Sequence, residues 1–220
     1  MEKRTTGHIL RLNLAAELTH GMCVSNLAFQ VACEMGLPPE TCHEMAVAGM
    51  VHDIGKLEIA KYLYSREPDP LTIEELKYVR THSTMGYAIL NERHYSEFVL
   101  QSILHHHENY DGSGYPSNLA GEEIPLGARI LRVSDPFAAL ISDRPYRKAY
   151  SHETALKMIL DGERGSFNPI LLECLKRIHT KIRQEYEKTA LGRKEASFLK
   201  DNGKTKELFL QTIAKESEDF

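Results

Sequence analysis

Apolar residues recur at helical rather than strand spacing along most of the chain. Between Arg11 and Met35, Leu14, Leu18, Leu27, Val31 and Met35 fall at intervals suited to one helix, with Gly21 as a weak point. Gly36 predicts its end, and Pro38 and Pro39 follow just beyond. A second helix is predicted from near Pro39 through the run Ala46–Asp53. It is apolar nearly all round and therefore central and buried, and Gly55 ends it. Residues 56–71, with Pro68 and Pro70, predict a loop. The pair Thr72 and Glu75 forms a capping box that opens a third helix reaching about Asn91. A fourth helix runs from Ser96 to about His107. Residues 109–127, rich in Gly, Pro, Asn and Asp, predict a structured loop, and helices follow at about 127–142, 152–161 and 169–190. No internal repeat and no strand pair is evident, so the fold class is all-α.

Composition narrows the picture. At 220 residues, with 42% apolar and 26% charged residues, the chain fits one globular domain with a tail rather than two full domains. The boundaries are drawn at 1–185 for the domain and 186–220 for a charged, weakly packed helical C-terminal extension. A formal net charge of −4 supplies no global basic field to recruit DNA or RNA. The four cysteines, Cys23, Cys33, Cys42 and Cys174, match neither a CxxC pair nor a small disulfide framework, so reduced thiols in a cytoplasmic setting are expected. No apolar run approaches the roughly 20 residues of a membrane span, and the first 13 residues lack an apolar signal core. The residues before 15 are not expected to form a receiver or sensor domain, which leaves both a stand-alone chain and an excised domain open.

The 11 histidines carry the chemistry. His52 and Asp53 adjoin on an apolar helix, where burying an ionised Asp is expensive unless a hydrogen-bonded partner or a metal compensates. Taken singly, His82 reads as a core residue and Asp135 as a helix breaker ahead of Pro136. In the run His105-His106-His107, spacing from Val99 through Ile103 aims His106 and His107 inward and leaves His105 toward solvent or the loop. Two neighbouring imidazoles aimed at one core are hard to explain as packing, whereas neutral imidazole is a favoured ligand for Fe, Mn and Zn. His52, Asp53, His82, His106, His107 and Asp135 fall on four different helices. They exceed what one tetrahedral ion needs and suit two ions sharing a carboxylate.

These residues carry a resemblance. The motifs His52-Asp-Ile-Gly-Lys56, Thr81-His82 and His106-His-Glu-Asn-Tyr-Asp-Gly-Ser-Gly-Tyr-Pro116 are similar to those of the HD-GYP family, the bacterial cyclic di-GMP phosphodiesterases within the HD phosphohydrolase superfamily. The likeness continues through Gly121–Leu131, Asp135 and Ser142-Asp-Arg-Pro-Tyr-Arg147, and covers about residues 15–180. It implies a compact HD-domain helical bundle with a Gly/Pro-rich GYP loop. It also implies a further ligand on the first helix. His20 has the family's spacing to the HD pair, whereas His8 lies 12 residues too early. Cys23 stands where the family usually has an Arg.

By resemblance, His20, His52, Asp53 and Asp135 hold one divalent ion, and Asp53, His82, His106 and His107 hold the other. Asp53 bridges them, and a bridging hydroxide attacks phosphorus. Fe or Mn suits the ligands best, with Zn, Ni or Mg as other occupants. Lys56 contacts a phosphate oxygen or the leaving group, Arg144 and Arg147 grip the phosphates, and Tyr115 packs on a guanine base or in the core. Family members with three metals carry a Glu four residues before the first His. Here that residue is Ala16, and Glu17 is rotated about 100° around the helix, so two ions are expected. Pro136 and Ala138 replace the usual Ala and Asp, and Pro136 is expected to kink its helix. The implied activity is hydrolysis of cyclic di-GMP to linear pGpG and/or GMP. A phosphohydrolase acting on another cyclic or linear nucleotide, and a module signalling through protein contacts at the GYP loop, remain open beside it. A homodimer or a signalling protein partner is the expected assembly.

Overall fold

The computed structural model describes residues 14–63, 72–143, 147–162 and 165–192. Nine α-helices are present among them: α1 (Leu14–Glu34), α2 (Pro39–Val51), α3 (Lys56–Leu63), α4 (Ile73–Val79), α5 (His82–Asn91), α6 (Glu97–His105), α7 (Leu126–Ile141), α8 (His152–Asp161) and α9 (Pro169–Gly192). No strand occurs among the described residues, in line with the all-α expectation. The chain divides into two units, Met1–His179 and Thr180–Phe220, and the site described below lies in the first.

Local chemistry sets the helix ends. Gly36, at φ +74, closes α1 with two reverse bonds, Gly36 N–H to Cys33 O at 2.9 Å and Leu37 N–H to Ala32 O at 3.2 Å. Thr72 and Glu75 form the expected capping box at α4. Ser96 and Ser151 accept from the backbone N–H three residues on and so cap α6 and α8. The core is built where α1 packs on α2 and α7, and α6 on α2, α5 and α7. Val24, Ala28 and Val31 of α1, Met45 and Ala48 of α2, Ile103 of α6 and Ile130, Leu131 and Val133 of α7 are wholly buried.

Several expectations change. The segment expected as loop from residue 56 begins with a helix, α3, whose first turn continues directly from the HD pair; residues 64–71 lie outside the described residues. The helix expected over 72–91 is two helices, α4 and α5, separated by a turn at Arg80–Thr81. Thr81 Oγ1 donates to Tyr78 O at 2.6 Å there and so takes up a terminal carbonyl of α4. Leu18, one of the apolar residues at helical spacing along α1, is about half exposed. The helix α7 runs unbroken through Pro136.

Candidate metal centre

Two helices, α2 and α6, end at histidines and a third histidine opens α5 just after α4, and the helix ends themselves aim the rings. Helix α2 stops at Val51, so His52 and Asp53 stand in the turn that follows it rather than within a buried helix. His52 Nδ1–H donates to Gly49 O at 2.9 Å. His82 Nδ1–H, just past α4, donates to Val79 O at 2.8 Å, and His106 Nδ1–H, at the end of α6, donates to Ile103 O at 2.6 Å. Each ring thus satisfies a carbonyl three residues back that the finished helix leaves without a partner. A carbonyl can only accept, so Nδ1 carries a proton and Nε2 of all three rings points away from the helix.

Those nitrogens converge. His82 Nε2 lies 3.3 Å from His106 Nε2 and 2.9 Å from His107 Nε2. Asp53 reaches both sides: Oδ1 is 3.3 Å from His82 Nε2 and Oδ2 is 3.2 Å from His52 Nε2. On the α1 side, His20 Nε2 is 2.9 Å from Asp135 Oδ1, and His52 Nε2 is 3.7 Å from the same oxygen. Two groups therefore share Asp53, namely Asp53, His82, His106 and His107, and His20, His52 and Asp53. Within each group the ligand atoms lie within 4.8 Å of one another. Asp135 joins the second through its contacts to His20 and His52.

This donor set fits divalent metal. His52 Nε2 is buried and makes no aligned hydrogen bond despite the nearby carboxylate. The lone pairs of His82 and His106 face each other with no hydrogen on either Nε2 to separate them. A cation at the point of convergence resolves both problems.

The protonation pattern of the metal-free site divides along the same line. Burial works against charge on His52, but the charges of Asp53 and Asp135 outweigh it and raise its pKa to about 9. Burial is opposed at Asp53 too, where His52 and Lys56 hold the carboxyl well below the usual range. At His107, burial and then the adjacent His82 push the pKa down to about 3, and His106 is also lowered by burial and its histidine neighbours. One side is an acid-rich ionic cluster and the other a set of neutral imidazoles. Lys56 Nζ donates to Asp53 Oδ2, and this attraction outweighs burial to raise the lysine to about 12.

Residues 4–171 match the family described as HD domain. The chain belongs to that family. Its GYP-type motif and its relatives make it a member of the HD-GYP type. It is 34% identical over 192 residues to the cyclic di-GMP phosphodiesterase response regulator RpfG of Xanthomonas campestris pv. campestris, covering 84% of this chain and 50% of that one. It is 37% identical over 164 residues to a cyclic di-GMP phosphodiesterase of Pseudomonas aeruginosa, covering 73% and 39%. The chain thus spans half or less of the length of these relatives. A crystal structure of a cyclic GMP-AMP specific phosphodiesterase of Vibrio cholerae shares the fold, with a TM-score of 0.59, 19% identity, and coverage of 77% of this chain and 47% of that one.

The GYP loop of this HD domain braces the candidate metal centre. Tyr115 N–H donates to His107 O at 3.2 Å, and the Tyr115 ring stacks on His107 at 4.8 Å between centroids and 21° between planes. Gly114 makes the close approach: a Cβ there would lie 2.2 Å from Asn109 N and 2.4 Å from Glu108 Cα. Glu108, fully buried, accepts from Ser117 N–H at 2.6 Å and so ties the far end of the loop to the residue after His107. The sequence reading did not single out Glu108, because a lone acid after a histidine run carries no sign of its burial.

Of the two directions expected for His105, solvent and the loop, the solvent one is not taken. His105 is 7% exposed, with Nδ1 at 3.6 Å from Glu108 Oε1, because the helix ends at His105 and the chain folds back over it. It belongs to neither ligand group. His105→Ala is expected to leave metal content unchanged and to lower stability by about 1–3 kcal/mol through loss of packing beside a buried carboxylate. Thermal melts paired with metal analysis check this, and loss of an ion would place His105 in the cluster. Arg147 does not reach the cluster. Its guanidinium donates to Ala139 O at 2.8 Å, Leu140 O at 3.1 Å and Lys148 O at 2.7 Å, taking up carbonyls at the end of α7, and lies over Tyr150. Arg144 lies outside the described residues.

No helix among the described residues is long and apolar enough to cross a membrane. All four cysteines are free thiols.

Proposed function

We propose that this HD domain is a metal-dependent phosphodiesterase that hydrolyses cyclic di-GMP to linear pGpG and/or GMP, with residues 1–185 as its catalytic unit. The observation that carries this reading is one carboxylate, Asp53, standing between two sets of histidine nitrogens. Its relatives in Xanthomonas and Pseudomonas, both named as cyclic di-GMP phosphodiesterases, support the substrate. Two divalent ions, Fe or Mn, would be held by His20, His52, Asp53 and Asp135 on one side and by Asp53, His82, His106 and His107 on the other. Such a centre supplies Lewis acidity and a nucleophile at neutral pH.

The chain's own residues do the rest. Three imidazoles keep Nδ1–H on backbone carbonyls, so their orientation is fixed before substrate arrives. Lys56, whose side chain is 27% exposed, holds Asp53 Oδ2, the oxygen that also faces His52, and would turn its ammonium to a phosphate oxygen. Tyr115 covers one face of His107 and keeps water from it. The free thiols accord with a cytoplasmic setting.

The test is direct. The chain is loaded with Fe(II) or Mn(II), its metal content is measured, and it is offered cyclic di-GMP, cyclic GMP-AMP and cyclic di-AMP. Two ions per chain and preferential cleavage of cyclic di-GMP, abolished by chelation and restored by metal, are expected. A third ion in the cluster would overturn the two-metal assignment. Preference for cyclic GMP-AMP would reassign the substrate, and no hydrolysis by the loaded protein would favour a signalling module.

A further inference from the structure

The commitment of Arg147 to the carbonyls of α7 takes away one guanidinium expected on a phosphate. Another stands at the rim of the centre. Arg80 closes α4, two residues before His82, with its backbone N–H on Leu76 O at 3.1 Å. Its side chain is exposed, and its Cζ lies 5.3 Å from the centroid of Tyr115, the ring that stacks on His107. No carboxylate pairs with it among the described residues. The resulting series, ligand imidazole then phenol then guanidinium, runs from the metal centre to solvent.

We infer that Arg80 grips the second, uncleaved phosphate of a cyclic dinucleotide, with Tyr115 as the shelf that holds the guanidinium in place. This rests on the phosphodiesterase reading above. Three features argue for it. A guanidinium offers paired N–H donors that match the two free oxygens of a phosphodiester. Stacking on an aromatic face restrains a long side chain that would otherwise lose much freedom on binding. Arg80 also stands one ring further out than the ligands, so it is placed for a second anion and not for the phosphorus under attack. Its role would therefore be to favour a substrate with two phosphates over one with a single phosphate.

The experiment compares wild type, Arg80→Gln and Arg80→Lys, all full chain and metal-loaded, on cyclic di-GMP and on bis(p-nitrophenyl) phosphate, which has only one phosphodiester. Arg80→Gln is expected to lower the ratio of kcat/KM for cyclic di-GMP over the single diester by about 10- to 100-fold, the range for a charge-assisted contact. The loss should lie in KM rather than kcat, with metal content held. Arg80→Lys should recover part of it. An unchanged ratio in Arg80→Gln, or equal loss on both substrates, overturns the assignment while the phosphodiesterase reading stands. Wild type that cleaves the single diester but no cyclic dinucleotide overturns the reading itself and Arg80's role with it.

Discussion

Asp53→Ala is expected to abolish turnover and to empty both halves of the metal centre, because this one carboxylate belongs to both ligand groups. Losing an outer-shell partner of a metal ligand costs about 10- to 100-fold, and a shared ligand should cost more. The expected loss is at least about a thousandfold in kcat/KM, on the order of 4 kcal/mol. Metal content should fall below one ion per chain. The variant also removes the main charge that raises the pKa of His52 and Lys56 in the metal-free protein. Metal analysis and hydrolysis, measured on the same preparation, read both effects. Retention of two ions would mean that Asp53 ligates neither.

Gly55→Ala should be nearly as damaging without touching a ligand. A Cβ on Gly55 would lie 2.0 Å from His82 O and 2.8 Å from Gly86 N, and both neighbours are backbone. No side chain can swing aside to make room. The turn that carries His52 and Asp53 must then move away from the start of α5, which carries His82. Overpacking of this kind costs about 1–3 kcal/mol and occasionally more. A displacement of about 1 Å within a reacting centre costs about a hundredfold in rate. A lowered melting temperature, weaker metal retention and a hundredfold loss of kcat/KM are expected together. A variant that melts like wild type and keeps both ions would show that the two backbones are not pressed together.

The helices were legible because their apolar spacing and their caps agree, as at Thr72–Glu75 and Gly36. The break at Arg80–Thr81 was not, because apolar positions continue across it at helical spacing and the deciding interaction is a threonine hydroxyl taking up the carbonyl of Tyr78. Residues 56–63 were misread because Pro68 and Pro70 mark a loop without saying where it begins. In the site, His106 and His107 could be told from His105 by extending the α6 stripe, but the burial of His105 could not be foreseen. It depends on the chain turning back after α6, where Glu108 is drawn inward by Ser117. The fate of Arg147 was equally hidden, since an exposed arginine and one that closes a helix look alike in sequence.

Placing ligands at helix ends makes the centre a ruler of helix length. A residue inserted within α2 or α6 would turn every position after it by about 100°, swinging His52 or His106 away from its carbonyl and from its candidate ligand group at once. A residue inserted in the connection at Arg93–Tyr95 shifts only the path between two helices whose ends stay where they are. Insertions and deletions in relatives of this chain should therefore gather in the connections and spare the helices that finish on a ligand, even where the helix surface itself is free to vary.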